Sequence, residues 1–247
     1  MGQVVRDEVA EAPVKFQLFR LSKCRTIGSL SLDGGTVYPK ADLLGDILAL
    51  YQQGGQKDEG EEFLGDLPYS RPDIVELAKY WTTVVGIYLA AGEMDKAKLA
   101  ALRAYQLAPI EADPGQDLPL QQLLRTLVAT EGRTGLEAFL NYLKTGQGDN
   151  PLAAVPPAPI TPEQQQEQEA AVGGNLSLKV DACLFNGQYP EALHAAEMQT
   201  VSDGPDAQAG IVNIARCFKA KDVCCVRANQ YLDWVRTGQG ANPVLTF

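Results

Sequence analysis

The sequence predicts an all-α protein made of two related helical lobes, preceded by a short extended or β arm. Three observations support this prediction. Apolar residues recur at helical spacing from Ala41 onward, glycine and proline interrupt them at short intervals, and a long segment occurs twice. The 247-residue chain is 45% hydrophobic and 21% charged, which is typical of a globular protein able to bury a core.

The composition restricts the classes of partner and the compartment. The formal net charge is −10, with 31 acidic and 21 basic residues, and no run of Lys and Arg offsets it. Such a surface repels phosphate backbones and anionic lipid, so we expect no nucleic-acid binding and no membrane insertion. The longest apolar run, at residues 82–91, is too short to span a bilayer. Residues 1–11 carry charge and lack the apolar core of a signal peptide, which favours a cytoplasmic location.

The five cysteines are odd in number and irregularly spaced, unlike the disulfide framework of a small secreted domain. We therefore expect reduced thiols, in the cytoplasm or another reducing compartment. Metal sites use clustered Cys and His ligands, whereas the single histidine, His194, is distant in sequence from Cys217, Cys224 and Cys225. We expect no metal site, no cofactor and no catalytic residue.

Residues 1–40 form the predicted arm, because their apolar residues alternate in the manner of β-strands. Val14–Leu21 and Thr26–Leu32 show this alternation, and Asp33-Gly34-Gly35 is a turn sequence. A two-stranded ribbon alone is marginally stable in water, so we expect the arm to dock on the helices or on another protein.

Two helical lobes follow the arm. The first lobe is predicted over 41–148 and the second over 169–247, with 149–168 as a Pro- and Gln-rich linker. At the end of the linker, Thr161 and Gln164 have the spacing of a capping box. The spacing of apolar residues predicts helices at 41–53, 58–66, 72–91, 94–107, 119–129, 134–145, 162–185, 189–201, 206–219 and 223–237.

The lobes are related by an internal duplication. Tyr142–Pro151 recurs as Trp234–Pro243, 92 residues later, and both segments contain the string T-G-Q-G-x-N-P. The basic residue and the glycines around this string are typical of a helix C-terminus. An alternative interpretation is that the two loops also form a matched pair of contact surfaces. Two further pairs of segments match upstream: 122–129 with 213–220, 91 residues apart, and 92–97 with 187–192, 95 residues apart.

The first helix pair of each copy resembles a tetratricopeptide repeat. The positions that match the family pattern in the first copy are Trp81, Val84, Tyr88, Gly92, Ala97, Ala104 and Pro109, whereas Val85 replaces the usual small residue and Ala101 the usual aromatic. The second copy keeps Leu176, Val180, Cys183, Gly187, Ala192, Ala196 and the nearby Pro205, and Gln199 stands where alanine is usual. The resemblance implies a TPR-like α-solenoid in which antiparallel helix pairs are stabilised by stacking on their neighbours.

In this family, the first helix of each pair lines a concave surface that binds segments of other proteins. The resemblance therefore implies other proteins as partners. Family members that grip a carboxylate use Lys and Asn in this helix, and this chain does not reproduce that pattern, so a carboxylate clamp is not expected. The partner-binding positions that the resemblance implies are Lys79, Thr82, Gly86 and Leu89 in the first copy and Ser177, Asp181, Leu184 and Phe185 in the second.

The sequence leaves three functions open. We expect a non-catalytic adaptor or scaffold that captures another protein through the helical groove or the arm. The alternative is an integral structural subunit of a large multiprotein assembly, whose arm adds a strand to a neighbouring sheet. The third is an enzyme that uses the thiols of Cys224 and Cys225, which would require nearby positive charge to lower a thiol pKa.

Overall fold

The chain divides into two compact units, Met1–Asp66 and Leu67–Phe247. The structure, a computed structural model, describes residues 30–32, 35–37, 54–55, 58–59, 62, 78–108, 110, 118–150, 160–202 and 204–247. The predicted strand at Val14–Leu21, the predicted helix at 41–53 and residues 151–159 of the linker lie outside these residues.

Two short strands are described in the first unit. Strand β1 (Leu30–Leu32) pairs antiparallel with strand β2 (Gly35–Val37), so that Leu30 lies opposite Val37. The connection between them contains the turn sequence noted above.

The described secondary structure of the second unit is helical throughout. Among the described residues, no helix has both the length and the apolar character needed to cross a membrane. The helices are α1 (Ala78–Ala90), α2 (Met94–Leu107), α3 (Leu118–Thr145), α4 (Pro162–Val172), α5 (Leu176–Phe185), α6 (Tyr189–Thr200), α7 (Pro205–Asp222), α8 (Val226–Thr237) and a final 3-10 turn at Pro243–Thr246.

The region predicted as one helix at 162–185 is two helices. Helix α4 begins with the predicted capping box, in which Thr161 and Gln164 satisfy each other's backbone N–H groups. It ends at Gly173, which takes a positive φ of 54°. Helix α5 then begins after Asn175, whose side chain accepts from the N–H of Leu178. The sequence Gly173-Gly174-Asn175 therefore ends α4 and begins α5.

The two helices predicted at 119–129 and 134–145 are joined as α3, but the predicted interruption is present. Gly132 breaks the helical conformation, with φ 70° and ψ −162°. The equivalent residue of the second copy, 91 positions later, is Val223, which ends α7 with φ 59°. Both copies therefore change direction at the same place.

The backbone repeats at the other helix ends as well. The α1–α2 turn and the α5–α6 turn each contain a glycine of positive φ, 75° at Gly92 and 73° at Gly187. In both turns the N–H that follows this glycine returns to a carbonyl five residues earlier, as in a Schellman motif. The duplication predicted from the sequence is therefore present in the backbone conformation.

Each helix packs mainly on its neighbour in sequence, α1 on α2, α2 on α3, α5 on α6, α6 on α7, and α7 on α8. In the first pair, Val84 and Val85 are buried on α1, and Ala97, Ala101 and Ala104 are buried on α2. Large side chains on one helix thus face small ones on the next, which allows close packing.

The two copies also contact each other, because α2 packs on α5 and α7, and α3 packs on α8. The rings of Trp81 and Phe185, one from each copy, stack with centroids 5.9 Å apart. Leu107 of the first copy joins a cluster of buried side chains from the second, among them Val180, Leu184 and Phe218. Both copies therefore share one hydrophobic core.

Candidate functional site

The interface between the two copies contains polar side chains that cap helix ends. The last carbonyls of a helix lack intrahelical partners and lie at its negative end, so cations and other donors are favoured there. At the end of α2, the Arg216 guanidinium donates to the carbonyl of Leu107 at 2.9 Å, and the Lys219 ammonium donates to that of Ala108 at 3.2 Å. Both cations belong to α7, so the second copy caps the first.

The capping is reciprocal. At the end of α7, the side-chain amide of Gln106 donates to the carbonyl of Ala220 at 2.9 Å. The Tyr142 hydroxyl donates to the carbonyl of Asp222, and the guanidinium of Arg103 donates to that of Phe185 at the end of α5. The first copy therefore caps two helices of the second.

A buried ion pair lies at the centre of this interface. Arg216 Nη2 is 2.7 Å from Asp181 Oδ1, and both side chains are buried. Such a pair is tolerated when further hydrogen bonds satisfy both groups. Arg216 Nη1 also donates to Asn213 at 2.9 Å, and Asn213 donates to Gln199 at 2.8 Å. Gln199 in turn donates to Ser177 at 2.8 Å, so a continuous hydrogen-bond network connects α5, α6 and α7.

Three of the predicted partner-binding residues in the second copy are buried. Asp181 and Leu184 are 0% exposed and Phe185 is 4% exposed, so they belong to the core rather than to an open groove. The reason is that α5 is packed against α6 and α7 of its own copy and against α2 of the first. Ser177 is half-buried, and its hydroxyl is bonded to Gln199.

The predicted positions of the first copy are more open. Lys79 lies in the first turn of α1. Thr82 and Leu89 are half-buried on α1, and Gly86 is exposed. A Cβ atom added at Gly86 would meet no atom within 4 Å. The exposed Gly86 therefore differs from its buried counterpart Asp181.

A pair of equivalent positions explains the difference. Gly86 occupies the place of Asp181, 95 residues earlier, and Arg125 occupies the place of Arg216, 91 residues earlier. Helices α1 and α3, which carry Gly86 and Arg125, are in contact, as are the equivalent helices α5 and α7. Arg125 is exposed. The first copy thus has the arginine of the ion pair and lacks the carboxylate.

A cavity of about 420 Å³ lies beside the C-terminal half of α3, and sequence reasoning did not find it. Its wall includes the ion pair of Lys98 with Glu131 and the amides of Asn141, Gln147 and Asn150. The only feature in the sequence that relates to this cavity was the T-G-Q-G loop, whose residues Gln147 and Gly148 line it. The wall is mixed, because Leu127, Ala138 and Phe139 also line it.

Burial disfavours the thiolate form of three of the described cysteines. Burial raises the pKa of Cys183 to about 11 and that of Cys217 to about 12, and it also raises the pKa of Cys224. These thiols are therefore protonated at neutral pH. Cys225 is half-buried, with its sulfur 3.6 Å from the Tyr105 hydroxyl. Within the described part of the chain, no group of three His, Cys, Asp or Glu side chains could hold a metal ion.

Comparisons with protein-family models, curated proteins and solved structures gave no match for this chain.

Proposed function

We propose that this protein is a non-catalytic adaptor or scaffold with a TPR-like solenoid, and that it binds another protein on the exposed face of α1 and α3. A carboxylate of the partner forms an ion pair with the Arg125 guanidinium in the space beside Gly86. This proposal keeps the interaction function expected from the sequence and assigns it to the first copy alone.

The observation that carries the proposal is the Gly86 and Arg125 pair. In the second copy, the equivalent Asp181 and Arg216 form an ion pair, with Oδ1 and Nη2 2.7 Å apart. In the first copy the acid is replaced by glycine while the arginine is kept. A carboxylate supplied by a partner would restore the interaction that the second copy makes internally, and arginine binds carboxylates with two parallel hydrogen bonds.

The free-energy cost of having glycine at position 86, inside α1, also supports a role in binding. Glycine inside a helix destabilises it by about 0.5–1 kcal/mol relative to alanine. Gly210 on α7 illustrates a glycine that packing requires, because a Cβ atom there would lie 2.6 Å from the Thr200 backbone nitrogen. No such neighbour is present at Gly86. A close approach by an external chain would explain why the position has no side chain.

Thr82 and Leu89 flank this place on α1, each about one helical turn from Gly86, and Lys79 lies one turn before Thr82. The half-buried Leu89 gives the surface an apolar contact, and Thr82 gives it a hydroxyl. A mixed surface of this kind, with a central arginine, is typical of protein interfaces.

The test is affinity capture of the full chain from its source, with proteins quantified by mass spectrometry. Arg125→Glu reverses the charge at the proposed centre. Lys144→Glu makes the same charge change at an exposed site in the last turn of α3 and serves as the matched control. We expect a partner that the wild-type chain and Lys144→Glu recover in equal amount and that Arg125→Glu loses.

The proposal also makes a prediction about the partner. The recovered protein should cross-link through an acidic side chain or its C-terminal carboxylate to the α1 and α3 face. Recovery of the same proteins by Arg125→Glu and the wild-type chain would refute the assigned surface.

A further inference from the structure

The contact between the two copies includes a joint at the end of α3. The tip of the first copy, defined by Tyr142, Gly146 and Asn150, packs on a seat in the second copy, defined by residues 221–226. A Cβ atom at Gly146 would lie 3.6 Å from the sulfur of Cys224 and 3.8 Å from Cγ2 of Val226. The Tyr142 hydroxyl and the Asn150 amide donate to the carbonyls of Asp222 and Lys221.

The duplication gives the molecule a second tip and a second seat. The tip of the second copy is Trp234, Gly238 and Asn242, 92 residues after the first, and the seat of the first copy is residues 130–135. The tips have the same conformation, with φ 68° at Gly146 and 64° at Gly238. The threonine before each glycine accepts from the N–H two residues later, at 3.1 Å in the first tip and 3.3 Å in the second.

The second tip and the first seat each contain open positions. Gly146 and Gly238 are both exposed, but a Cβ atom at Gly238 would meet nothing within 4 Å, whereas one at Gly146 would meet Cys224 and Val226. Trp234 of the second tip is half-buried and stacks on Tyr231. In the first seat, a Cβ atom at Gly132 would meet nothing within 4 Å, and Arg133 and Thr134 are exposed, whereas one at Gly135 would clash with Cβ of Glu131. This seat borders the cavity of about 420 Å³, whose wall includes Glu131 and Gly135.

We propose that two copies of this chain associate head to tail, with the open tip of one chain in the open seat of the next. The occupant is inferred from the internal joint, in which a tip of the same backbone conformation packs on the equivalent segment of the other copy. The contact is heterologous, so it leaves a free tip and a free seat at the two ends and extends to a ring or a filament. It is independent of the α1 and α3 face assigned above.

The open seat is more polar than the occupied one, because Arg133 and Gly135 stand in the places of Cys224 and Val226. The net charge of −10 also opposes the approach of two chains. We therefore expect a reversible association that depends on protein concentration.

Sedimentation velocity of the purified full chain over a range of concentrations tests the proposal. Gly238→Arg blocks the tip, and Thr134→Arg blocks the seat. Gly240→Arg is the control for the tip. Gly240 also has a positive φ, so the substitution causes the same backbone strain. It should not block the joint, because a Cβ atom at the equivalent Gly148 would meet nothing within 4 Å. Gln166→Arg on the exposed side of α4 is the control for the seat.

The wild-type chain and both controls should sediment faster as concentration rises, and each blocked variant should stay at the monomer value. The decisive result is the mixture of the two blocked variants, which still contains one open tip and one open seat. It should form a dimer and nothing larger, whereas a symmetric interface would not be restored by mixing. A wild-type chain that stays monomeric, a blocked variant that associates normally, a control that loses association, or a mixture that stays monomeric would each overturn the proposal.

Discussion

At the scale of single residues, the Asp181 and Arg216 pair has the largest expected effect on stability. Both side chains are buried, and Arg216 also caps α2 and contacts Asn213. Removing one partner of a buried pair leaves an uncompensated charge, which costs about 3–5 kcal/mol. Replacing both partners by apolar residues of similar size avoids that charge.

We therefore predict that Asp181→Leu lowers the free energy of unfolding by about 3–5 kcal/mol, as measured by urea denaturation. Adding Arg216→Met should recover part of this loss, although the cap on Leu107 is then absent. Equal stability of Asp181→Leu and the wild-type chain would contradict the structural role assigned to the pair.

The buried thiol of Cys217 predicts that the stability of the folded chain depends on pH. Its thiol is fully buried, which raises its pKa from the usual 9.0 to about 12. Below 9.0 the thiol is protonated in both states, so its contribution to stability is complete. As the pH rises from 9.0 towards 12, the unfolded chain loses the proton first, and stability falls by about 1.4 kcal/mol per pH unit.

The measurement is the free energy of unfolding of the wild-type chain and of Cys217→Ala at neutral pH and above 9.0. At neutral pH the wild-type chain should be more stable, because alanine leaves a small cavity. Above 9.0 the difference should shrink, since alanine has no proton to lose. A difference that stays constant across this range would show that the thiol is not held in its neutral form.

At the scale of elements, two of the glycines inside helices, Gly86 and Gly210, are expected to behave in opposite ways. Gly210 lies where α7 crosses α6, and a Cβ atom there would be 2.9 Å from the carbonyl oxygen of Ala196. Gly86 lies in open space. We predict that Gly210→Ala destabilises the chain by about 1–3 kcal/mol, because the helix backbones must separate.

Gly86→Ala is the matched control and should stabilise the chain by about 0.5–1 kcal/mol, since alanine is the better helix former. Thermal unfolding of the two variants beside the wild-type chain makes the comparison. Destabilisation by both substitutions to the same extent would contradict the difference in packing.

The bounds of a helix were predictable from the sequence where the spacing of apolar residues agrees with the residues typical of helix ends. Thr161 and Gln164 predicted the start of α4, and Gly132 was placed correctly between two predicted helices. The break at Gly173 was not predicted, because the apolar spacing continues through it. Its signal was local, since Asn175 is a strong N-cap residue directly after two glycines.

At the scale of the whole molecule, the joining of the two copies could not be predicted. The contacts that join them are between residues distant in sequence, such as Arg216 with Leu107 and Tyr142 with Asp222. Their acceptors are backbone carbonyls, which carry no mark in the sequence. The family resemblance likewise implied a groove position for Asp181, whereas in the structure Asp181 is buried and paired with Arg216.

The duplication, in contrast, was visible in the sequence. The two copies use the same turns, at Gly92 and Gly187 and at Gly146 and Gly238. The functional proposals both follow from comparing equivalent positions, Gly86 with Asp181 and Gly238 with Gly146.

The equivalence of the two copies is the central claim, and a double-mutant cycle tests it without a partner. Gly86→Asp supplies the missing carboxylate, and Gly86→Asn is its uncharged counterpart. The two are compared with Arg125 present and with Arg125→Met, by urea denaturation. We predict that Asp is more stabilising than Asn by about 0.2–1 kcal/mol when Arg125 is present, and that the advantage is lost with Arg125→Met. An advantage of Asp that is independent of Arg125, or no advantage, would contradict the claim that these positions reproduce the Asp181 and Arg216 pair.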